Sequence, residues 1–308
     1  MVTPTKPLSF IGTVPARLPN GAHAALFGAP HGTPYRGIDN RPHAKSADSF
    51  RAALKEDALW LDHWDFDMGG PLLPDTKFKA VDLGNLATRS PDGQGNRKKI
   101  ETITKSILAA GAVPMMFGGD DSVPIPFISA FAGGPPITVL QIDAHIDWRE
   151  ERYRERLGFS STMRRASEQP HVWRIVQAGA HGLGSARRGE FEDAQKWGAH
   201  IIPSKTIHSH GIATVLSLIE PDSHVLISLD LDVLDAAVMP AVAHPSPGGL
   251  SYMQVVELIM GVAAKARIAG FTMVEFVPKK DLNGVSAYTA GRIAALTLGM
   301  IARQTKIS

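Results

Sequence analysis

The sequence predicts an α/β protein built around a mostly parallel β-sheet. Short apolar runs rich in valine and isoleucine alternate with longer amphipathic segments, which is the pattern of repeated β-α-β units. Glycines such as Gly28 and Gly118 close several of the apolar runs, as expected where a strand ends and the chain turns. No linker, internal repeat or low-complexity stretch interrupts the alternation. We therefore expect a single domain over residues 1–308, with residues 1–23 as an N-terminal extension.

The first half of the chain contains three predicted strands and two predicted helices. The run Ala24–Gly28 is apolar and ends at a glycine, and the segment 46–54 behind it has helical spacing of its apolar residues. Helical spacing recurs over 100–110. The apolar run Val113–Phe117 and the run 138–142 then read as buried strands.

The second half repeats this alternation. Val172–Ala178 and 224–229 are predicted strands, and 252–269 is a long amphipathic segment that predicts a helix. A last apolar run, 271–275, predicts a strand, and 290–303 predicts the closing helix.

Composition excludes several classes of function. The 32 Lys and Arg residues nearly balance the 30 Asp and Glu residues, so a net charge of +2 gives no global attraction to nucleic acid or to an anionic membrane. The absence of cysteine excludes disulfides, zinc–thiolate sites, iron–sulfur clusters and cysteine nucleophiles. Any metal in this protein must therefore be held by carboxylates and imidazoles.

Neither a targeting segment nor a membrane span is predicted. Residues 1–10 are polar, with two prolines, and lack the apolar core of a signal peptide. The longest uncharged run, 122–142, is interrupted by prolines and glycines that would break a spanning helix. We expect a soluble cytoplasmic protein.

Acidic residues cluster directly after four of the predicted strands. Ligands of parallel sheets bind beyond the carboxyl ends of the strands, and side chains at alternate positions of an extended segment point to the same side. We therefore expect these residues to converge. The acidic residues, with one histidine among them, are Asp120, Asp121, Asp143, His145, Asp147, Asp230, Asp232, Asp235 and Glu275.

So many carboxylates in one crevice would repel one another strongly unless cations neutralise them. Oxygen ligands with one imidazole suit Mn, Mg or Fe and also accept Ni or Zn, and the number of carboxylates favours two metals over one. Such a pair activates a shared water to hydroxide at neutral pH. Each acid alone is also typical of a helix N-cap or a turn, but three clusters that all follow apolar strands favour the metal site.

Four segments resemble the signatures of the ureohydrolase family, which includes arginases, agmatinases and guanidinobutyrases. They are 118–122 (GGDDS), 143–147 (DAHID), 228–235 (SLDLDVLD) and 275–278 (EFVP). The resemblance runs in order from about residue 24 to the C-terminus. It implies a three-layer α/β/α arginase-like fold, a binuclear manganese site (nickel in some members) and trimers or hexamers. The implied reaction hydrolyses a guanidinium C–N bond and releases urea and an amine.

The resemblance also implies roles for seven residues. Six of them are metal ligands. Two aspartates bridge the metals, two further residues complete the coordination shell of one metal, and the last two residues complete the shell of the other. The seventh, Glu275, faces the guanidinium of the substrate, and Asp147 also carries a proton from the attacking water towards the leaving amine. The implied ligands are Asp143 and Asp230 as bridges, Asp121 with Asp147, and His145 with Asp232.

Two positions depart from the family pattern. Asp121 stands where the family usually has histidine, which makes the site more anionic and favours a cationic substrate. Ser160 stands where agmatinases carry a histidine that contacts substrate, and serine does not titrate near neutral pH. His244, in the loop after the third signature, is a candidate replacement, with an ordinary surface-loop histidine as the alternative.

Several hypotheses about the substrate and partners stay open at this point. Arg149 and Arg152 follow the second signature, and one of them is a candidate to bind a carboxylate at the far end of a guanidino acid. The partners that we expect are a small guanidino compound and further chains, as a homo-oligomer or with a related subunit. The alternatives are a non-catalytic or regulatory subunit and a hydrolase of a formimino or linear amide nitrogen.

Overall fold

A computed structural model describes residues 8–184 and 186–305. Nine strands in this part of the chain form one sheet in which every neighbouring pair is parallel. The strands are β1 (Val14–Pro15), β2 (Ala24–Gly28), β3 (Ala80–Asn85), β4 (Val113–Phe117), β5 (Ile137–Ile142), β6 (Val172–Ala178), β7 (His200–Ile202), β8 (His224–Asp230) and β9 (Arg267–Val274). Their order across the sheet is β1-β3-β2-β4-β9-β8-β5-β6-β7.

Helices connect the strands and cover both faces of the sheet. The α-helices of the described residues are α1 (Ser46–Ala53), α2 (Gly93–Ala109), α3 (Pro124–Ser129), α4 (Thr162–Ser167), α5 (Arg188–Trp197), α6 (Ser204–His210), α7 (Ala213–Leu216), α8 (Tyr252–Lys265) and α9 (Val285–Gln304). The predicted three-layer α/β/α architecture is confirmed.

Alternating side chains of the strands enter two separate cores. On β4, Met115 and Phe117 pack into the core beneath α1, α8 and α9, whereas Met116 packs into the core beneath α2 and α3. Because both faces are covered by helices, the central strands are apolar along nearly their whole length.

The predicted elements differ from the observed ones mainly at their ends. The predicted helix 252–269 is too long, because α8 ends at Lys265 and Ala266 takes an extended backbone conformation that starts β9. No glycine or proline marks this change, so the sequence carries no stop signal. Helix α2 starts earlier than predicted, at Gly93, where the side chain of Asp92 caps it by accepting from the Gly95 amide at 2.9 Å.

The segment ahead of β2 packs onto the rest of the fold. Val14 and Pro15 pair with β3 at one edge of the sheet, and Phe10 is buried against Phe117 with ring centroids 5.0 Å apart. The residues from Leu8 onward in the predicted N-terminal extension therefore lie against the domain core.

Helix α9 is the one helix of the described residues that is long and apolar enough to cross a membrane. In this fold, 78% of its apolar window is buried inside the protein, and Ile293, Leu296 and Ile301 belong to the core. Its composition is therefore that of a core helix.

Candidate metal centre

The four strands that precede the ureohydrolase-like segments are adjacent at the centre of the sheet, in the order β4-β9-β8-β5. Since all of them are parallel, their carboxyl ends meet at one edge, and each delivers acidic side chains there. This strand order brings acidic residues that are as far apart in sequence as Asp121 and Glu275 to one edge of the sheet. Sequence patterns alone do not define it.

A tight glycine turn places Asp121 after β4. Gly118 and Gly119 have φ angles of 87° and 79°, in the left-handed region that favours glycine. A Cβ on Gly119 would lie 2.6 Å from the carbonyl oxygen of Ala29, so the turn packs too closely for any side chain. The turn directs Asp121 into the interior, where its side chain is buried.

Neighbouring strand ends position the remaining ligand candidates. After β5, the Oδ1 atom of Asp143 accepts from the His145 amide at 2.6 Å, which folds the chain back towards the site. After β8, Oδ1 of Asp230 accepts from the Asp232 amide at 2.9 Å and starts a single 3-10 turn. The His145 Nδ1 atom then lies 3.1 Å from Oδ2 of Asp232.

These side chains form two groups of cation-binding size that share one carboxylate. In each group, the ligand atoms all lie within 4.8 Å of one another. Asp143 belongs to both groups, as expected for a bridging ligand. The groups are Asp143 with His145 and Asp232, and Asp121 with Asp143 and Asp230.

Asp147, the sixth predicted ligand, lies outside both groups but next to them. Gln141 donates from one Nε2 to Oδ2 of Asp143 at 2.7 Å and to Oδ2 of Asp147 at 2.6 Å, which holds the two carboxylates side by side. Gln177 in turn donates to Oε1 of Gln141. Asp147 has a φ of 44°, a strained conformation of the kind that concentrates at functional sites.

The pKa values of the cluster indicate a deficit of positive charge. Burial, with repulsion from neighbouring aspartates, raises the pKa of Asp121, Asp147 and Asp230 well above the usual value. Burial works against the charged form of His145, but its contacts with Asp143 and Asp232 raise its pKa to about 12. Without a bound cation, the carboxyls and the imidazole of the cluster therefore hold protons more tightly than they do in water.

The donor set fits divalent cations. Oδ2 of Asp121 is buried and finds no hydrogen-bond donor among the described residues, although a buried polar atom without a partner is costly. An acceptor-only oxygen in a cluster of carboxylates and one imidazole is suited to a hard or borderline metal ion. Asp121 thus lies in a group of cation-binding size, at the position where the family usually has histidine.

Glu275 lies beside this cluster on a strained backbone. Its φ is 68°, its Oε1 accepts from the Asp121 amide at 2.8 Å, and burial raises its pKa to about 7. Its carboxylate faces the same cavity as the aspartates, at the position predicted for binding a guanidinium group.

A cavity of about 630 Å³ opens above the acidic cluster. The other predicted substrate-binding residues line it: Ser160, whose Oγ bonds to the Tyr35 hydroxyl at 2.7 Å, Arg149 and the exposed His244. The guanidinium of Arg149 is already paired with Glu190, with Nε 3.1 Å from Oε1.

Sequence reasoning missed two residues of the cavity wall. His43 lies 3.5 Å from Oε2 of Glu275 through Nε2, and Tyr35 carries the hydroxyl that holds Ser160. Both come from the segment between β2 and α1, where no predicted strand end pointed to a site. The histidine next to Pro42 was the available signal, but its partner lies more than 200 positions away in sequence.

The fold and the acidic cluster are those of an arginase-family amidino hydrolase. A sequence model of the arginase family matches residues 22–299, and the chain belongs to this family. Proteins of the arginase family use a dinuclear divalent metal site.

Proteins of similar sequence or structure match most of this chain. The human mitochondrial guanidino acid hydrolase is 26% identical over 281 residues, which cover 89% of this chain and 77% of that protein. The structure of proclavaminate amidino hydrolase from Streptomyces clavuligerus has a TM-score of 0.84 at 23% identity and covers 97% of this chain and 98% of its own. A formiminoglutamase from Trypanosoma cruzi solved with Mn²⁺ has a TM-score of 0.78 at 19% identity, with coverage of 91% and 94%.

Proposed function

We propose that this protein hydrolyses the C–N bond of a guanidino compound and releases urea and an amine. The observation that carries the proposal is the pair of ligand groups that share Asp143, with Glu275 facing the same cavity. Two cations bound there would polarise a water molecule for attack on the planar carbon. We favour Mn²⁺, with Ni²⁺ as the alternative; the donor set and the Mn²⁺ in the Trypanosoma cruzi relative support this choice.

The residues of the chain provide binding and proton transfer. A carboxylate at Glu275 accepts two parallel, charge-assisted hydrogen bonds from a planar guanidinium and thereby fixes its carbon over the acidic cluster. Asp147 is buried next to the cluster, where Gln141 holds it beside Asp143, and this position suits a group that takes a proton from the attacking water and gives it to the leaving nitrogen.

The position of Arg152 favours a substrate that carries a carboxylate at the end opposite to the guanidinium. Its Cζ lies 5.5 Å from the ring centroid of Tyr35, 5.2 Å from that of Tyr153 and 5.8 Å from that of Phe159, so three aromatic rings hold the guanidinium at the cavity wall. No ion pair among the described residues includes Arg152, whereas Arg149 is paired. A cation held in this way is available to an anionic substrate group.

The test begins with metal content and urea release. Protein purified without chelator, after expression with Mn and Ni supplied, is expected to hold about two cations per chain and to release urea from a member of a guanidine panel. Asp143→Ala and Asp230→Ala are expected to lose metal and activity, while Glu275→Ala keeps the metal and loses turnover. Full activity of Asp230→Ala would rule out the metal mechanism.

The same measurements separate the two alternatives. Little or no bound metal would favour a non-catalytic subunit that acts in a mixed oligomer. Bound metal without urea from any guanidine, but with cleavage of a formimino or linear amide compound, would favour the related hydrolase.

A further inference from the structure

His43 is a buried histidine that contacts the side chain of Glu275 and the backbone of the next residue, Phe276. It ends a 3-10 helix, Arg41–His43, that precedes α1, and it lines the cavity above the acidic cluster. Its side chain is only 8% exposed. A buried imidazole needs partners for both nitrogens, so its contacts define what it does.

One nitrogen holds the backbone that follows Glu275. Nδ1 of His43 lies 3.0 Å from the carbonyl oxygen of Phe276, which also accepts from Oγ of Ser46 at 2.9 Å. A carbonyl oxygen only accepts, so Nδ1 carries a proton and donates it. The strained peptide at Glu275 is thus anchored on its C-terminal side, while its own N–H donates to the Gly119 carbonyl at 3.1 Å.

The other nitrogen faces the side chain. Nε2 of His43 lies 3.5 Å from Oε2 of Glu275, while Oε1 accepts from the Asp121 amide. The two oxygens of the carboxylate are therefore approached from different elements: Oε1 accepts a hydrogen bond, and Oε2 lies at ion-pair distance from the imidazole when Nε2 also carries a proton. A further charged neighbour of the imidazole is Asp120, whose Oδ1 accepts from the amide and the hydroxyl of Ser122.

We propose that His43 is the positioning residue for Glu275, which it orients as the anchor of the guanidinium group. The inference rests on the proposed function, because Glu275 matters in this way only if a guanidinium enters the cavity. A glutamate in the left-handed region is strained and persists only where its surroundings hold it. His43 supplies such a hold at both the backbone and the carboxylate, which a residue that merely filled space would not do.

Two variants separate the two contacts. In His43→Asn the short amide reaches the Phe276 carbonyl but not Glu275. In His43→Gln the longer amide reaches Glu275, so the positioning function is partly rescued. His208→Asn is the matched control, because His208 also bonds to a backbone carbonyl, with Nε2 3.0 Å from the oxygen of Gly249, but touches no residue of the acidic cluster.

The experiment measures guanidinium binding directly, by calorimetry with guanidinium chloride on the Mn²⁺-loaded protein, beside kcat and KM for the best guanidine of the panel. We expect His43→Asn to keep its metal and to bind guanidinium about tenfold more weakly, with the same loss in kcat/KM. His43→Gln is expected to lie between His43→Asn and the wild type. The His208→Asn control is expected to match the wild type.

Failure of the inference is distinct from failure of the proposed function. If Glu275→Ala loses guanidinium binding while a folded, metal-loaded His43→Asn binds like the wild type, His43 does not position Glu275 and the proposed function stands. The same holds if His43→Gln is as impaired as His43→Asn. If the wild-type protein neither binds guanidinium nor releases urea, both the proposed function and the inference are overturned.

Discussion

The side chains that hold a metal ligand in place are as informative as the ligands. Gln141 uses its whole side-chain amide in this way. Its Nε2 atom donates to two carboxylates at once, and its Oε1 accepts from Gln177. The shared donor fixes the orientation of both carboxylates beside the acidic cluster.

Gln141→Met is therefore expected to weaken metal binding. The thioether has nearly the shape of the amide but donates no hydrogen bond, so Asp143 and Asp147 lose their shared donor. We expect Mn²⁺ affinity to fall roughly 10–100-fold, as for other residues that orient metal ligands. Calorimetric titration with Mn²⁺ checks this, with thermal unfolding as a control for folding. Unchanged affinity would show that the carboxylates orient themselves.

Arg152→Gln tests recognition of the far end of the substrate. The change removes the unpaired cation at the cavity wall but keeps a polar side chain of similar length. We expect KM for a carboxylate-bearing guanidine to rise about tenfold or more, and KM for an uncharged alkylguanidine to change little. Steady-state kinetics on both compounds provide the measurement. Arg154→Gln, in the same turn but outside the cavity wall, is the matched control. Equal effects on both compounds would contradict the role of Arg152.

At this scale the sequence predicted that the acidic residues and His145 lie together, but not which side chains support them. Asp143, His145 and Asp147 follow an apolar strand directly, so the sequence locates them at the edge of the sheet where ligands bind. A bend after Ile142, and not the predicted extended segment, brings them together. His43 has no such local pattern, because its partners lie 232 and 233 positions further along the chain, a separation counted from His43 to Glu275 and Phe276. Only the completed fold brings them together.

Among the elements, the turn after β4 has the strictest backbone requirement. Gly119→Ala would introduce both a left-handed alanine and a collision with the Ala29 carbonyl. We expect it to destabilise the protein by clearly more than the 1–2 kcal/mol typical of the left-handed strain alone and to lower metal content, because the turn carries Asp121. Urea unfolding and elemental analysis are the measurements.

Gly111→Ala is the control for that prediction. Its φ is +75° but nothing lies within 4 Å of the added Cβ, so it introduces the strain without the collision. We expect a loss of about 1–2 kcal/mol and unchanged metal content. Equal losses of stability and equal metal content in the two variants would show that close packing is not the reason why glycine is required after β4.

Strands were predicted best where they are apolar on both faces. β2, β4 and β6 have the predicted bounds. Burial between helices makes β2 and β4 continuous apolar runs, and β6 is predicted although it contains Arg174 and Gln177. β3 was not predicted, since it contains Asp82, whose charge is buried and met by Arg51 at 2.7 Å. β7 was also missed, because three residues give no readable period.

For the whole molecule, the acidic cluster predicts how stability depends on pH. Carboxyls with raised pKa values bind more protons in the folded, metal-free chain than in the unfolded chain, so stability falls as the pH rises above about 4. For Glu275 this interval ends at about 7. The pKa of Asp232 is lowered, because its contacts with His145 outweigh the effect of burial. This carboxyl makes stability rise with pH, but only below about pH 4.

We therefore expect the Tm of metal-free protein to fall between about pH 5 and pH 8, and saturating Mn²⁺ to raise Tm more at pH 8 than at pH 5, because the cations replace protons. Thermal unfolding with Mn²⁺ or with chelator checks both statements. Asp230→Asn, which removes one raised carboxyl, is expected to flatten the pH dependence of the metal-free protein. A metal effect that is larger at pH 5 would contradict this account.

The arginase-family fold and the convergence of the acids followed from strand patterning and the resemblance, whereas the central placement of the four site-bearing strands required the structure. The predicted trimeric or hexameric assembly and the cytoplasmic location stay predictions, and light scattering on purified protein would test the assembly.

The adjacency of these four strands also has a consequence for unfolding. A cation held by Asp121, Asp143 and Asp230 would tie together segments that are up to 109 positions apart, counted from residue 121 to residue 230. It would therefore act as a reversible cross-link through the middle of the sheet, closing long loops as a disulfide does in a chain that has no cysteine. Since the unfolded chain does not hold these carboxylates together, saturating Mn²⁺ should lower the rate of global unfolding.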